Sequence, residues 1–488
     1  MSLVELESLV KRQNAFIDFP NRPWMPETTS PRGHLYDVVI VGAGQSGLAA
    51  AYGLMREQVT NIIVLDAARE GEEGPWTTFA RMITLRTPKM LSGLDFGNPS
   101  LSPRAWFEAQ WGRSAWDELT KIPRGMWQDY LIWYRRVLGI PVRNESRIID
   151  IAPAPAAGLS LRTADGTEYL ARKLILCTGL DGSGRWEVPS VVREALPRDR
   201  YAHTADAIDF DALTRRRVGV LGNGASAFDN AAMALEEGAA QVSLCLRKES
   251  FPRVNVHKWM ETPGFLGHFA SLPDLARWRF LRQVTSVSQP PPQDTFWRCK
   301  RHANFSLHTG AAWTAVAMDG DEIVVDTPKG RMHFDFLIAG TGISHALHLR
   351  PELAGIANEI ATWNDVFTPP ADEADAYLGR APYLGAGFEF QERRPGAAPY
   401  LRRIHNFSYG ATLSMGLSAA SISGMRYGIP RLVRGVVGDL FREDQDRHFA
   451  SLLAYSDEEI STLELPDDPS LIPGPPIATT RDTTEVSV

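Results

Sequence analysis

The chain has 488 residues, 44% of them hydrophobic and 22% charged, the proportions of an ordinary soluble globular protein long enough for two or three domains. Its 51 basic residues are outnumbered by 58 acidic ones and form no tail or stripe, so the net charge of −7 leaves no electrostatic footprint for a nucleic-acid partner. Three isolated cysteines, Cys177, Cys245 and Cys299, without a Cys-x-x-Cys pair or a His/Cys cluster at metal spacing, argue against a disulfide scaffold and a metal centre and fit a reducing cytoplasm.

Residues 1–34 are rich in Pro and include Trp24. They lack the basic region and unbroken apolar core of a secretion signal, and read as an amphipathic N-terminal arm. The uncharged run Val38 to Met55 approaches the length of a membrane span, but its three motif glycines and Gln45 mark it as strand, turn and helix, so no membrane association is expected.

That run contains the first informative motif. The apolar strand from Asp37 enters Gly42-Ala-Gly44-Gln45-Ser46-Gly47 and then an alanine-rich helix. In this context Gly42 allows a tight turn, Gly44 lets the backbone approach a pyrophosphate, and Gly47 permits close helix–strand contact, with the helix N-terminus facing the anion. Asp66 ends the next strand about 20 residues on, where its carboxylate would accept hydrogen bonds from a ribose 2′-OH and repel a 2′-phosphate. These features point to FAD or another diphosphate that lacks a 2′-phosphate.

Between Arg69 and Ile140 lies a Trp- and Arg-rich stretch with helical spacing around Met126 to Tyr134; aromatics at that spacing are read as core. Strands follow near Val142 to Ile151 and Leu159 to Thr163, then Lys173 to Leu176 running into Cys177-Thr178-Gly179, a buried strand whose end lets the backbone pass close to a ligand.

A second glycine turn, Gly222-Asn223-Gly224-Ala225-Ser226-Ala227, opens a helix that stops at Gly238, and the following strand ends in Arg247-Lys248. Two cations where the first unit has Asp66 suit a 2′-phosphate, which points to NADPH. Asp335 to Ala339 then repeats the strand-end pattern with Thr341-Gly342. The expected fold is therefore α/β with two Rossmann-like dinucleotide-binding domains, the NADPH domain inserted into a discontinuous FAD domain. The boundaries read as 1–34 for the arm, 35–185 for the leading segment of the FAD domain, 186–340 for the NADPH domain with a helical excursion at 251–301, 341–464 for the returning segment of the FAD domain, and 465–488 for a flexible tail. The missing cysteine pair argues against the disulfide reductases that share this plan.

With these motifs in place, residues 35 to 440 resemble the flavin-containing monooxygenase group (class B flavoprotein monooxygenases), which includes N-hydroxylases and Baeyer–Villiger enzymes. The resemblance implies that NADPH reduces FAD, that oxygen forms a C4a-peroxide on the flavin, and that one oxygen atom passes to a small-molecule substrate at nitrogen, sulfur or a carbonyl. It implies a place near the flavin ring for Trp76 and its polar neighbours. Two departures stand out: the aspartate typical of Baeyer–Villiger enzymes is not evident in the Arg69 to Lys89 segment, and the family fingerprint between the nucleotide units is reduced to His203, with Pro197, Asp199 and Ala207 at the other marked positions. His203 is either a hinge residue near NADP or a structural linker histidine.

Near the end, His405 to Leu417 precedes an alanine- and serine-rich helix. A helix N-terminus here would face the flavin pyrimidine, with Met415, Gly416 and Leu417 supplying backbone contacts. Arg81, Gln293, Asp294 and Asn406 are the candidates for the oxygen-activating and substrate pocket. A flavin reductase without oxygenation and a non-catalytic nucleotide sensor remain the alternatives, and a homo-oligomeric assembly stays open.

Overall fold

The structure, a computed structural model, describes residues 1–155, 158–419, 421–460 and 462–471. The chain divides into two compact units, Met1–Phe441 and Arg442–Val488. Among the described residues, all the sheets belong to the first.

Seven strands build the first sheet. β1 (Leu35–Val41) is buried along almost its whole length, which is why it reads as a continuous apolar run rather than an alternating one. It pairs in parallel with β2 (Ile62–Leu65), Val38 opposite Ile62, and β2 pairs with the short β3 (Val142–Arg143). The strand expected from Val142 to Ile151 is thus two strands, since β4 (Ile148–Ala154) belongs to an antiparallel meander with β5 (Gly158–Thr163) and β6 (Glu168–Leu176) on the other side of β1.

β7 (Gly184–Trp186) leaves this sheet, and a second sheet begins with β8 (Tyr201–His203), β9 (Arg217–Leu221), β10 (Gln241–Cys245) and β11 (Phe305–His308). A three-stranded antiparallel meander follows, β12 (Ala315–Asp319), β13 (Glu322–Thr327) and β14 (Gly330–Phe334). β15 (Phe336–Ala339) then completes the second sheet between β9 and β8, giving the all-parallel order β11-β10-β9-β15-β8. β16 (Ile343–His345) pairs antiparallel with β7, so the outgoing and returning chains run side by side, and β17 (Ile404–Asn406) rejoins the first sheet next to β6 with Ile404 opposite Leu174. The first sheet therefore draws strands from residues 35–176 and 404–406, and the second from 201–339.

The aromatic stretch is core: Trp106, Trp116, Trp127 and Trp133 are buried, the last two on the helix Arg124–Leu138, and only Trp111 of this group is substantially exposed. The N-terminal segment contributes a capped helix, Leu3–Phe16, whose Leu6 and Val10 are fully buried in the same cluster. The excursion supplies the helices Val256–Met260, Pro263–His268, Asp274–Val287 and Gln293–Lys300. Phe269, Trp278 and Leu281 pack against Trp363, Leu378 and Leu413, so these excursion helices share a core with the returning chain.

In the second unit, the helix Gln445–Ala454 exposes Phe449, Leu452 and Leu453. Of the tail expected from 465 onward, residues 472–488 lie outside the described residues. Among the described residues no helix is long and apolar enough to cross a membrane, and no cluster of His, Cys, Asp or Glu could hold a metal ion.

Candidate active site

At the end of β1, Gly42 has a φ of +102°, and a methyl group there would sit 2.4 Å from the Cys177 carbonyl oxygen. At Gly47 a methyl would sit 1.7 Å from the Gly42 carbonyl, so the helix can touch the turn only because Gly47 lacks a side chain. Gly44 differs: a methyl there would make only an ordinary contact, 3.9 Å from the Gly74 Cα, so the start of the helix Gln45–Arg56 is uncrowded. No side chain caps that helix, so its first N–H groups remain available to an anion. Ser46 lies in its first turn, and the Gln45 side chain accepts from the Trp127 indole at 3.1 Å. Trp76 meets Trp127 edge to face, 6.4 Å between ring centres, and its carbonyl accepts from Arg124.

Asp66 has work that spacing alone did not suggest. Its buried carboxylate accepts from the Ala43 N–H at 2.6 Å and from the Ala68 N–H at 2.7 Å, one on each oxygen. It therefore pins the glycine turn, and a ribose hydroxyl would use the remaining lone pairs.

The strand ends converge beside this turn. Phe407 N–H donates to the Leu176 carbonyl at 2.9 Å and Tyr409 N–H to the Gly179 carbonyl at 3.0 Å, bringing Thr178 and Gly179 (φ +63°) against the residues after β17. Asn406 is 1% exposed; its Oδ1 accepts from the Ser408 hydroxyl at 2.6 Å, and its Nδ2 has no partner. A methyl on Gly410 would come within 3.2 Å of that Nδ2. An unmet buried donor costs about 1–3 kcal/mol, which an acceptor on a bound dinucleotide would recover. The uncrowded turn at Gly44, the uncapped helix and this orphan amide fit FAD.

The second cradle solves the same clearance differently. Gly222 (φ +147°) would place a methyl 2.4 Å from the Gly340 carbonyl, while the third motif position carries the Ala227 methyl, buried against Gly222 and Gly340. Gly340 makes that possible, since a methyl there would meet the Ala227 methyl at 2.7 Å. The helix Ala225–Glu236 also lacks a side-chain cap, and Gly224 faces open space. Asn223 lies in the turn, and the Ser226 carbonyl accepts from Asn230 at 2.9 Å.

At the tip of β10, Arg247 is exposed, but the Lys248 ammonium donates to the Ser286 and Val287 carbonyls at the end of the helix Asp274–Val287. The expected pair of phosphate cations is thus one exposed tip cation and one helix cap. Thr341 donates to the Glu187 carbonyl and Gly342 (φ +83°) accepts from the Glu187 N–H, tying both to the paired crossings β7 and β16. His203 is buried in β8 against Trp186, its Nδ1 accepts from Ala205 N–H, and burial pushes its pKa down to about 4.

The four pocket candidates do not form one cluster. A cavity of about 370 Å³ is lined by Met82, Thr84, Arg86, Lys121, Asp294 and Arg298 among others, and of the four only Asp294 belongs to it, paired with Lys121 at 2.8 Å. Gln293 is exposed on the same helical turn. Arg81 donates to the Thr78 and Asp206 carbonyls and lies over the Phe210 ring, while its own carbonyl accepts from Arg298. Asn406 is at the strand ends described above. Sequence reasoning missed the charge that holds two of the lining residues: Asp229 is buried between Arg86 at 2.8 Å and Arg298 at 3.5 Å, and burial raises its pKa against the pull of both cations. Nothing in the local pattern around Asp229 marks it.

The residues after β17 also depart from expectation. Thr412–Met415 forms one short helical turn, Gly416 takes φ +67°, a 3₁₀ turn covers Gly416–Ser418, and the long helix begins only at Ile422. Met415, Gly416 and Leu417 are buried. Burial pushes the thiols of Cys245 and Cys299 up to about 11 and about 12 and raises that of Cys177 as well, which makes all three inert.

Two dinucleotide cradles on separate sheets, one mixed and one all-parallel, define an oxidoreductase built for a flavin and a nicotinamide nucleotide. The comparisons agree: the FAD-NAD(P)-binding family model matches residues 39–181, and the L-lysine 6-monooxygenase/L-ornithine 5-monooxygenase model matches residues 115–294. The FAD-dependent urate hydroxylase of Xanthomonas campestris pv. campestris is 46% identical over 460 residues, covering 94% of this chain and 97% of the relative. In fold, L-lysine 6-monooxygenase from Pseudomonas syringae superposes with a TM-score of 0.63 at 21% identity, covering 83% of this chain and 99% of that one. Ornithine hydroxylase from Pseudomonas aeruginosa gives 0.62 at 18% identity, with 84% and 99% covered. The chain belongs to the flavin-containing monooxygenases of class B, and it is an FAD- and NADPH-dependent enzyme that transfers one atom of molecular oxygen to a small organic substrate.

Proposed function

We propose that this enzyme hydroxylates urate or a closely related anionic purine, and that it does so in the cytoplasm. The observation that carries the substrate is the 46% identity to a urate hydroxylase along nearly the whole of both chains. The balanced reaction consumes one substrate, one O₂, one NADPH and one proton, and yields hydroxylated substrate, NADP⁺ and water.

FAD, when bound, supplies the redox chemistry, taking a hydride from NADPH and activating oxygen. The chain's own residues bind, orient and exclude water. The N-terminus of the helix Gln45–Arg56, opened by Gly44, receives the FAD pyrophosphate, and Asp66 keeps the turn in register while accepting from the ribose. Asn406 offers its free amide to the flavin side of the same strand ends. Gly222, Gly224 and the helix Ala225–Glu236 receive the NADPH pyrophosphate, with Arg247 on the 2′-phosphate. Met415 to Leu417 would face the flavin pyrimidine. The three buried, unreactive thiols suit a reducing compartment.

The test is NADPH oxidation by the purified yellow protein in air, with urate loss and hydrogen peroxide measured together. Equimolar loss of NADPH and urate with little peroxide is expected. An NADPH oxidation rate indifferent to urate, with every electron pair recovered as peroxide, overturns the substrate. The match to the lysine and ornithine monooxygenase model over residues 115–294 favours a second reading, amine N-hydroxylation, and L-lysine and L-ornithine are therefore run as parallel substrates.

A further inference from the structure

We propose that Arg277 is a positioning residue for the flavin-facing turn, reaching out of the nicotinamide-side excursion to fix Thr412–Leu417 and to place a positive charge behind it. The proposal rests on the reading that Met415 to Leu417 face the flavin pyrimidine.

Arg277 lies on the helix Asp274–Val287 and is 8% exposed. Its Nη1 donates to the Ser414 carbonyl at 2.8 Å across a separation of 137 residues, and its Nη2 donates to the Asp274 carboxylate. The guanidinium lies over the Trp363 ring at 5.0 Å and the Tyr383 ring at 5.8 Å, and the Tyr383 hydroxyl donates to the same Asp274 carboxylate at 3.2 Å. A planar fork between an anion, a carbonyl and two aromatic faces is an arrangement that lysine cannot reproduce.

Ser414 is held from its other sides as well. Its hydroxyl accepts from the Trp363 indole at 3.0 Å and from the Leu384 N–H at 3.2 Å, and donates to the Pro382 carbonyl. Two residues later the chain turns through Gly416, where a methyl would strike the Phe269 ring at 2.9 Å. Phe269 also belongs to the excursion, so the turn is floored by one excursion residue and gripped by another. The Asp274 carboxylate offsets part of the guanidinium charge, and the Arg277 N–H on the Ser414 carbonyl polarises that peptide, which stabilises negative charge on a reduced flavin more than neutral charge on an oxidised one.

The test uses the FAD-loaded protein and three readouts: the two-electron midpoint potential against a reference dye, the visible spectrum of the bound flavin, and FAD retention on dilution. Arg277→Gln is expected to shift the reduced-to-oxidised ratio at least tenfold toward oxidised flavin, a fall of about 30 mV, with a changed spectrum. Arg277→Lys should recover part of that shift. Arg279→Gln, which removes an exposed ion pair with Glu373 on the same helix, should stay within twofold of the parent. Gly416→Ala displaces the turn directly and separates the two ways of failing. If Gly416→Ala alters potential and spectrum while Arg277→Gln leaves both unchanged, the role of Arg277 is overturned and the turn still faces the flavin. If neither variant alters them, the turn does not face the flavin and the proposal falls with it. Should Arg277→Gln lose FAD, Arg277→Lys is read in its place: a shift of threefold or more supports the proposal and none overturns it.

Discussion

Replacing Asp66 by Ala separates two roles that spacing alone runs together. A carboxylate that served only a ribose would leave the FAD-free protein untouched. The structure instead has both of its oxygens on backbone N–H groups, Ala43 at 2.6 Å and Ala68 at 2.7 Å, in a buried setting. Hydrogen bonds to a charged group contribute about 1.5–3 kcal/mol each, so the pair is worth about 3–6 kcal/mol before neighbours relax. Against a total stability of about 5–15 kcal/mol, that is a large fraction. Asp66→Asn keeps one acceptor and turns an NH₂ toward the other N–H, so at least half the loss should persist. The assay is urea unfolding of protein stripped of FAD, followed by far-UV circular dichroism, with FAD affinity titrated separately by flavin fluorescence. FAD-free Asp66→Ala with unchanged unfolding but weakened FAD binding would refute the argument, because it would make the carboxylate a ligand and not a pin.

Arg247→Ala should weaken NADPH about 10- to 150-fold and NADH little, since one charge-assisted contact is lost and Lys248 is already engaged with Ser286 and Val287; equal losses in the two Michaelis constants would remove the 2′-phosphate assignment. Gly340→Ala forces a methyl to 2.7 Å from that of Ala227 and should cost about 1–3 kcal/mol while weakening NADPH more than FAD. Ala227→Gly in the same chain should restore part of it, the Ala227 Cα and the Leu221 carbonyl staying 3.0 and 3.1 Å from the new methyl, and a double-mutant cycle showing no coupling would contradict the packing. His203 and His345 both have pKa values pushed down by burial to about 4, below the unfolded value near 6.5. As pH falls from 6.5 toward 4 the unfolded chain takes up protons that the folded one refuses, so stability should fall through that window by up to about 3 kcal/mol per histidine and level off below it. Urea unfolding of the parent and of a His203→Gln, His345→Gln double variant would show the slope, and an unchanged slope in the variant would refute its source.

The two glycine turns were legible because their chemistry is local: strand, turn and helix follow one another within about fifteen residues, and each glycine has a reason visible in the pattern. The aromatic stretch was legible as core because helical spacing predicts burial, and Trp127 and Trp133 obey it. What stayed hidden depends on partners distant in sequence. Lys248 reads as a phosphate cation until the end of the Asp274–Val287 helix arrives beneath it. Asp229 reads as one more polar helix residue until Arg86 meets it from 143 positions away. The break between Met415 and Ile422 escaped notice because alanine and serine suit a helix, whereas the close approach of Gly424 and Gly428 to the carbonyls of Leu417 and Ser418 demands a turn first.

The two cradles show how far a motif can change while its physics stays constant. Each needs the strand-end turn to pass within a bond's reach of a neighbouring strand and of its own helix, and each must delete side chains to do so. In the first cradle the deletion falls on the helix: Gly47 clears the Gly42 carbonyl, and the neighbouring strand end can carry Cys177 because only its backbone oxygen approaches. In the second, the helix keeps the Ala227 methyl, and the deletion moves to the neighbouring strand end, where Gly340 supplies the space. The alanine in the third motif position is therefore compensated by a glycine 113 residues later. Reading the second turn as a weakened copy of the first misses this, since clearance is a property of the turn and its neighbouring strand together.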